Sequence, residues 1–170
     1  YFSVRLDRSS WDSAARESAQ WWAQVGGLRL QDAVLGAKLL DRSPRCPHLR
    51  DLAFACSHFT NGTADALTAW LDETPLVSLS LERCTFKGSG FQRFCAAGAI
   101  DKPETLIIKF SQGLREDYFD ALFSLPLESL KELRLGHCPF PDWVLEPLFQ
   151  CQGLRSLEVL ALGRTRLTLD

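Results

Sequence analysis

At 170 residues, with 46% hydrophobic and 24% charged residues, the chain is long enough for one folded domain and too apolar to stay disordered. Its 19 Lys and Arg against 21 Asp and Glu leave a formal net charge of -2, without the cationic surplus of a generic nucleic-acid or anionic-membrane binder. No stretch reaches the roughly 18 consecutive apolar residues that span a bilayer, and no signal-peptide pattern opens the chain, so membrane insertion is not expected.

From the N-terminus, Val4 and Leu6 flank Arg5 in the alternation of a half-buried strand. The segment WDSAARESAQWWAQV then places Trp11, Ala15, Ala19 and Trp22 at helical spacing, which predicts one helix with a shared inward face joining the first two strands. A second strand pattern runs from Val25 through Leu28, Leu30, Ala33 and Leu35. Five fuller copies follow: LRDLAFACSHF from Leu49, LVSLSLERCTF from Leu76, PETLIIKFSQG from Pro103, LKELRLGHCPF from Leu130 and LEVLALGRTRL from Leu157. These five starts are 27 residues apart, and the two copies before them are 24 long.

The same columns recur in every full copy. Leu52, Leu79, Leu106, Leu133 and Leu160 fill the fourth position, and Phe54, Leu81, Ile108, Leu135 and Leu162 the sixth. Ser57, Cys84, Ser111, Cys138 and Thr165 fill the ninth, while Phe59, Phe86, Phe140 and Leu167 hold the eleventh, which Gly113 interrupts. An alternating L-x-L is a short strand with one face buried, and the ninth residue falls where the backbone turns, so its side chain can bond main-chain groups of the next copy. The second half of each copy reads as helix, with inward columns at Ala64, Phe91, Tyr118, Leu145 and at Leu67, Phe94, Ala121, Leu148.

These residues resemble the leucine-rich repeat family, in the long, helix-bearing form of ribonuclease-inhibitor-like and cysteine-containing repeat proteins, including the substrate-reading part of F-box proteins. The resemblance covers essentially all 170 residues. It implies an α/β solenoid, a horseshoe arc of about seven coils with one short parallel strand and one helix in each. It also implies a single domain over residues 1–170, with repeats starting near 1, 25, 49, 76, 103, 130 and 157. Pro103 and Gly113 depart from the pattern, so irregular curvature is expected there. The chain holds no Met, begins on a strand column at Tyr1 and stops at Asp170 just after a strand, as a fragment of a longer solenoid or one covered by other polypeptide would.

Six cysteines, Cys46, Cys56, Cys84, Cys95, Cys138 and Cys151, could form three disulfides, but the repeat frame opposes it. Cys84 and Cys138 share a column two copies apart, about 10 Å at the usual strand spacing and beyond bridging range. They read as small buried hydrophobes of an intracellular, cytoplasmic protein, with the mitochondrion as the alternative. The sequon Asn61-Gly62-Thr63 is weak evidence to the contrary.

Catalytic groups are sparse. Cys46-Pro47-His48 and Cys56-Ser57-His58 place thiols near imidazoles, yet the frame puts them in ordinary turns and their spacing matches no metal motif. Lys87-Gly88-Ser89-Gly90-Phe91 is a Gly-rich turn before a helix, short of a phosphate loop. No enzyme activity, cofactor or metal is expected.

Projecting the fifth, seventh and eighth columns onto the open side of the strands collects Arg5, Arg8, Arg29, Arg83, Lys109, Arg134 and Arg164 against Asp7, Asp32 and Glu82. Adding the third column brings in Asp51 and Glu132 and shrinks the surplus. Phe110 and His137 lie beside Lys109 and Arg134, with Ile107 near, the mixture of an interface hot spot. The expected function is non-catalytic protein binding through the concave strand face, at Arg83, Lys109, Phe110, Arg134, His137 and Arg164, with an acidic or phosphorylated protein segment as partner. The alternative is a structural accessory subunit of a large multiprotein complex, with the mitochondrion as one location. Ala53, Ala55, Cys56, Ser78 and Ser80 predict a small-residue hollow in the same face.

Overall fold

The computed structural model describes residues 2–14, 16–32, 45–72, 74–96, 98, 100–109, 116–136 and 144–163. In chain order the first elements are β1 (Phe2–Leu6), α1 (Arg8–Ala14), α2 (Ala19–Trp22), β2 (Val25–Gln31), β3 (Asp51–Ala55), β4 (His58–Phe59) and α3 (Asn61–Leu71). There follow β5 (Ser78–Glu82), β6 (Thr85–Phe86), α4 (Gly90–Ala96), β7 (Thr105–Lys109), α5 (Glu116–Phe123), β8 (Glu132–Gly136), α6 (Leu145–Gln150), a 3-10 turn (Gln152–Ser156) and β9 (Val159–Gly163).

Seven strands form one parallel sheet in the order β1-β2-β3-β5-β7-β8-β9, and β4 pairs with β6 in a separate two-stranded sheet. The register follows the repeat: Leu52, Leu79, Leu106, Leu133 and Leu160 are successive partners, as are Phe54, Leu81, Ile108, Leu135 and Leu162. From β3 to β8 these two columns are at most 1% exposed. Each such side chain contributes about 1.5–3 kcal/mol by leaving water, and a slip of one residue would turn the whole column outward. The 24-residue copies keep the frame, because Leu28 pairs with Leu52 and Leu30 with Phe54.

The helices bury the other side of this core. Thr60 caps α3 by accepting from the Thr63 amide at 3.3 Å, and Ala64, Leu67, Phe91 and Phe94 are at most 1% exposed. In α5 the inward face departs from the predicted column: Ala121 is half-buried, while Phe119 and Leu122 turn in beside Tyr118. In α6, Leu148 is buried and Leu145 only half so, with Val144 before the helix taking the inner place. The eleventh column continues as an aromatic stack, Phe59 on Phe86 at 5.0 Å between ring centroids, extended by Phe91 and Tyr118.

The predicted single helix over 11–25 is two short ones. The Arg16 and Glu17 amides close onto the Ser13 and Ala14 carbonyls, and Ser18 Oγ accepts from the Trp21 amide at 3.2 Å, starting α2 afresh. Ser18 thus satisfies an amide that a continuous helix would have bonded to its own backbone. Trp11 and Trp22 still face inward, 5.8 Å apart, but Ala19 is exposed. The Trp22 indole donates to the Ala14 carbonyl at 3.0 Å, which ties the two helices together. Ala33, Leu35, Ser111, Gly113, Cys138, Phe140, Thr165 and Leu167 lie outside the described residues.

Candidate functional site

With the fourth and sixth columns buried against the helices, the third, fifth and seventh columns lie on the opposite face of the sheet, because side chains alternate along a strand. Where it is described, the eighth column follows directly on the strand ends at Gln31, Ala55 and Glu82. Asp32, Cys56 and Arg83 have φ of 51°, 52° and 53°, the left-handed region that few non-glycine residues enter. Their amides donate to the next copy's seventh-column carbonyl: Asp32 to Ala55, Cys56 to Glu82 and Arg83 to Lys109, at 2.9, 2.9 and 2.7 Å. The left-handed turn aims each amide at the carbonyl that ends the neighbouring strand. The ninth column adds to this, since Ser57 Oγ donates to the Ala55 carbonyl at 3.1 Å and Cys84 Sγ lies 3.6 Å from the Phe54 carbonyl one copy back.

Of the six predicted binding residues, Arg83, Lys109 and Arg134 fall on or just after the adjacent strands β5, β7 and β8. Phe110, His137 and Arg164 lie outside the described residues. Arg83 and Arg134 are exposed and Lys109 is half-buried. The Lys109 Cγ lies 3.4 Å from where a β-carbon on Gly136 would sit, so its stem runs over that glycine. Ile107, half-buried, is the register partner of Arg134.

The charge surplus is smaller than the columns suggested. Arg29 pairs with Glu82 at 2.8 Å, Arg134 pairs with Glu132, and Arg5 donates to the Gln31 side-chain carbonyl. On the third, fifth and seventh columns of the described strands, Arg5, Arg29, Lys109 and Arg134 stand against Asp51, Glu82 and Glu132. Arginine is longer than one strand spacing, so it reaches carboxylates that a projection by column treats as separate. Arg83 and Lys109 form no ion pair with another described residue.

The predicted hollow exists and is displaced by one strand. Its volume is 210 Å³, and Ser3, Gly27, Arg29, Asp51, Ala53, Ser78 and Ser80 are among the residues that line it. Ala55 and Cys56 do not line it. The Arg29–Glu82 pair joins β2 to β5 across β3, passing over the small Ala53 and Ala55, and Ala55 is 1% exposed.

The remaining candidates have structural partners. His58 hydrogen-bonds through Nδ1 to Thr85 Oγ1, pinning β4 to β6. Among the described residues, no three His, Cys, Asp or Glu side chains gather as a metal site requires. Burial pushes the thiols of Cys46, Cys84 and Cys95 up to about 12, and all described cysteines are free thiols. In the Gly-rich turn Gly88 has φ of +62° and its carbonyl accepts from the Tyr118 hydroxyl at 3.0 Å, which accounts for that glycine by geometry. The sequon lies in the first turn of α3, with Thr63 3% exposed and the Asn61 side-chain carbonyl accepting from Ser89 Oγ.

No family model matches the chain. A solved structure from Caenorhabditis elegans, described as the tropomodulin C-terminal domain, aligns over 87% of this chain and 90% of its own with a TM-score of 0.58 and 11% identity. At that identity the likeness is one of fold. Together with the 27-residue register of the parallel sheet, it shows an α/β architecture of the leucine-rich-repeat type.

Proposed function

We propose that the protein is a non-catalytic protein-binding module that engages its partner through the open face of the sheet. In this reading the chain is a solenoid of about seven coils of the ribonuclease-inhibitor-like, cysteine-containing subtype, and it carries no cofactor or metal. The observation that supports it is the gathering of Lys109 and Arg134 on the neighbouring strands β7 and β8, beside the apolar Ile107, with Arg83 in the turn just after β5, two of the three cations lacking a described carboxylate partner. A pre-ordered sheet loses little entropy on association, and guanidinium groups orient carboxylates or phosphates. The partner is an acidic or phosphorylated protein segment, with Phe110, His137 and Arg164 assigned to the same patch.

The test is reversal of charge at Arg83, Lys109 and Arg134 together, with partners recovered by affinity capture and the fold followed by circular dichroism. Loss of the partner with an unchanged spectrum is expected. Unchanged capture would sink the assignment of the binding face.

A second reading is a permanent accessory subunit of a large complex, with the mitochondrion as one location. It is favoured by β9, where Val159 and Leu160 are 42% and 41% exposed although the counterpart Leu133 is 0%. Another polypeptide lying on β9 would cover them. Native mass measurement separates the two: a stoichiometric assembly selects the subunit, and salt-sensitive substoichiometric partners select the module.

A further inference from the structure

The seventh column of the open face reads Gln31, Ala55, Glu82, Lys109, Gly136 and Gly163 from β2 to β9. It sets Glu82 and Lys109 opposite each other as register partners on β5 and β7, with opposite charges one strand spacing, about 4.8 Å, apart. Opposite charges so placed ordinarily pair across the strands. Here they lean apart. Glu82 reaches two strands back to Arg29, with Oε2 2.8 Å from Nη2. Lys109 leans the other way, its Cγ and Cδ 3.4 and 4.0 Å from where a β-carbon on Gly136 would sit, and it forms no ion pair with a described residue. A β-carbon on Gly163 would meet nothing within 4 Å, so the ledge beyond Lys109 is open to an incoming group. Arg83 begins the turn beside it, its amide on the Lys109 carbonyl at 2.7 Å, and is likewise without a described carboxylate partner.

We propose that Arg29 is a positioning residue for partner binding: by holding Glu82 away, it keeps the Lys109 ammonium unneutralised for an anionic side chain of the partner that arrives over Gly136 and Gly163. Without that guanidinium, Glu82 is free to turn to its register partner, and a carboxylate seated on Lys109 competes with the incoming anion for the same three donors. The proposal rests on the open face being the docking surface. It adds that the strength of the anion site on β7 is set from β2, three strands away in the sheet.

The whole chain is titrated with Nα-acetyl-phosphoserine methylamide above its second pKa of about 6, at low ionic strength, in the parent, Arg29→Ala, Glu82→Gln and the double variant. Backbone amide NMR shifts of Lys109, Gly136 and Gly163 report binding, and retained spectral dispersion certifies each fold. Saturable shifts are expected in the parent, weaker by about threefold in Arg29→Ala and restored in the double variant. Glu82→Gln alone should change affinity by less than about twofold, because Arg29 already holds that carboxylate. This non-additivity separates release of Glu82 from a mere change of net charge, under which Glu82→Gln would strengthen binding equally with and without Arg29. Parental affinity in Arg29→Ala, equal effects of Glu82→Gln in the two backgrounds, or no saturable shift at these amides would overturn the proposal. The probe needs no partner, so any of these results leaves the triple charge reversal to judge the docking face. Non-additive probe binding together with unchanged capture by the reversed protein would instead remove the docking face and keep the role of Arg29.

Discussion

Arg29 on β2 and Glu82 on β5 are joined across the full width of β3, with Nη2 2.8 Å from Oε2. Small residues at Ala53 and Ala55 open the way, and the two side chains keep 40% and 28% of their exposure. A pair so hydrated is worth about 0.2–1 kcal/mol. A double-mutant cycle with Arg29→Ala and Glu82→Ala measures that coupling, which shrinks in 1 M salt, where screening acts over about 3 Å. A salt-independent coupling would mean the pair is sealed from water.

Phe86 is 5% exposed and stacks on Phe59 while meeting Phe91 edge-on at 4.9 Å. Phe86→Ala is expected to cost about 3–5 kcal/mol, because helix and sheet on either side cannot both collapse into the space. Urea unfolding reads this as a lower midpoint at constant slope. A loss below 1 kcal/mol would mean that the stack relaxes freely.

The left-handed turn at Arg83 makes a backbone prediction that is opposite for two substitutions. Arg83→Gly should stabilise by about 0.5–1 kcal/mol, since glycine enters this region without strain and gives back part of the gain through unfolded-state entropy. Arg83→Val should destabilise, a β-branched residue being the poorest choice there. Equal thermal midpoints for the two variants would contradict the φ of 53°.

Iodoacetamide at pH 8 should label the half-buried Cys56 and Cys151 well before Cys46, Cys84 and Cys95. Burial favours the neutral thiol in the latter three and pushes them up to about 12, so the reactive thiolate is scarce until the pH approaches that value or the protein opens. Peptide mapping by mass spectrometry assigns the sites. Early labelling of Cys84 would show that the β5 turn opens readily.

Asp7 opens α1, accepting through Oδ1 from the Ser10 amide at 2.8 Å and from the Ser9 and Ser10 hydroxyls. The Ser10 amide, then the two hydroxyls, hold its carboxyl down at about 2. A lowered carboxyl stabilises the fold above its unfolded value of about 3.9 and loses that contribution as the pH falls toward 2. Side-chain carboxyl NMR should give a midpoint near 2, and Asp7→Asn should flatten the pH dependence of stability in that window.

Period-two burial made the strands legible, because only one phase puts Leu52, Phe54 and their counterparts inside, and the register obeys it from Ser3 in β1 to β9, shifting only between Phe2 and Ser3. Apolar spacing cannot see hydrogen bonds, which is why the break at Ser18 escaped it. In α5 the choice between Ala121 and Leu122 turns on a rotation of one residue, which packing rather than pattern decides. The left-handed turns were hinted at only by Asp32, a residue tolerant of positive φ, while Cys56 and Arg83 carry no such mark. On the candidate face the small-residue hollow was visible from side-chain size. The cationic surplus was overstated because reach between strands depends on side-chain length, which a column does not record.

Every pairing in the main sheet joins segments about 24 or 27 residues apart in sequence, and none joins the two ends of the chain. Loop-closure entropy is therefore nearly the same for each added strand, and no single closure is long enough to be a bottleneck. A chain emerging from the ribosome can lay down β2 on β1, then β3 on β2, without waiting for distant sequence. Assembly then proceeds as growth at a moving front, and the edge exposed at any moment is one strand wide.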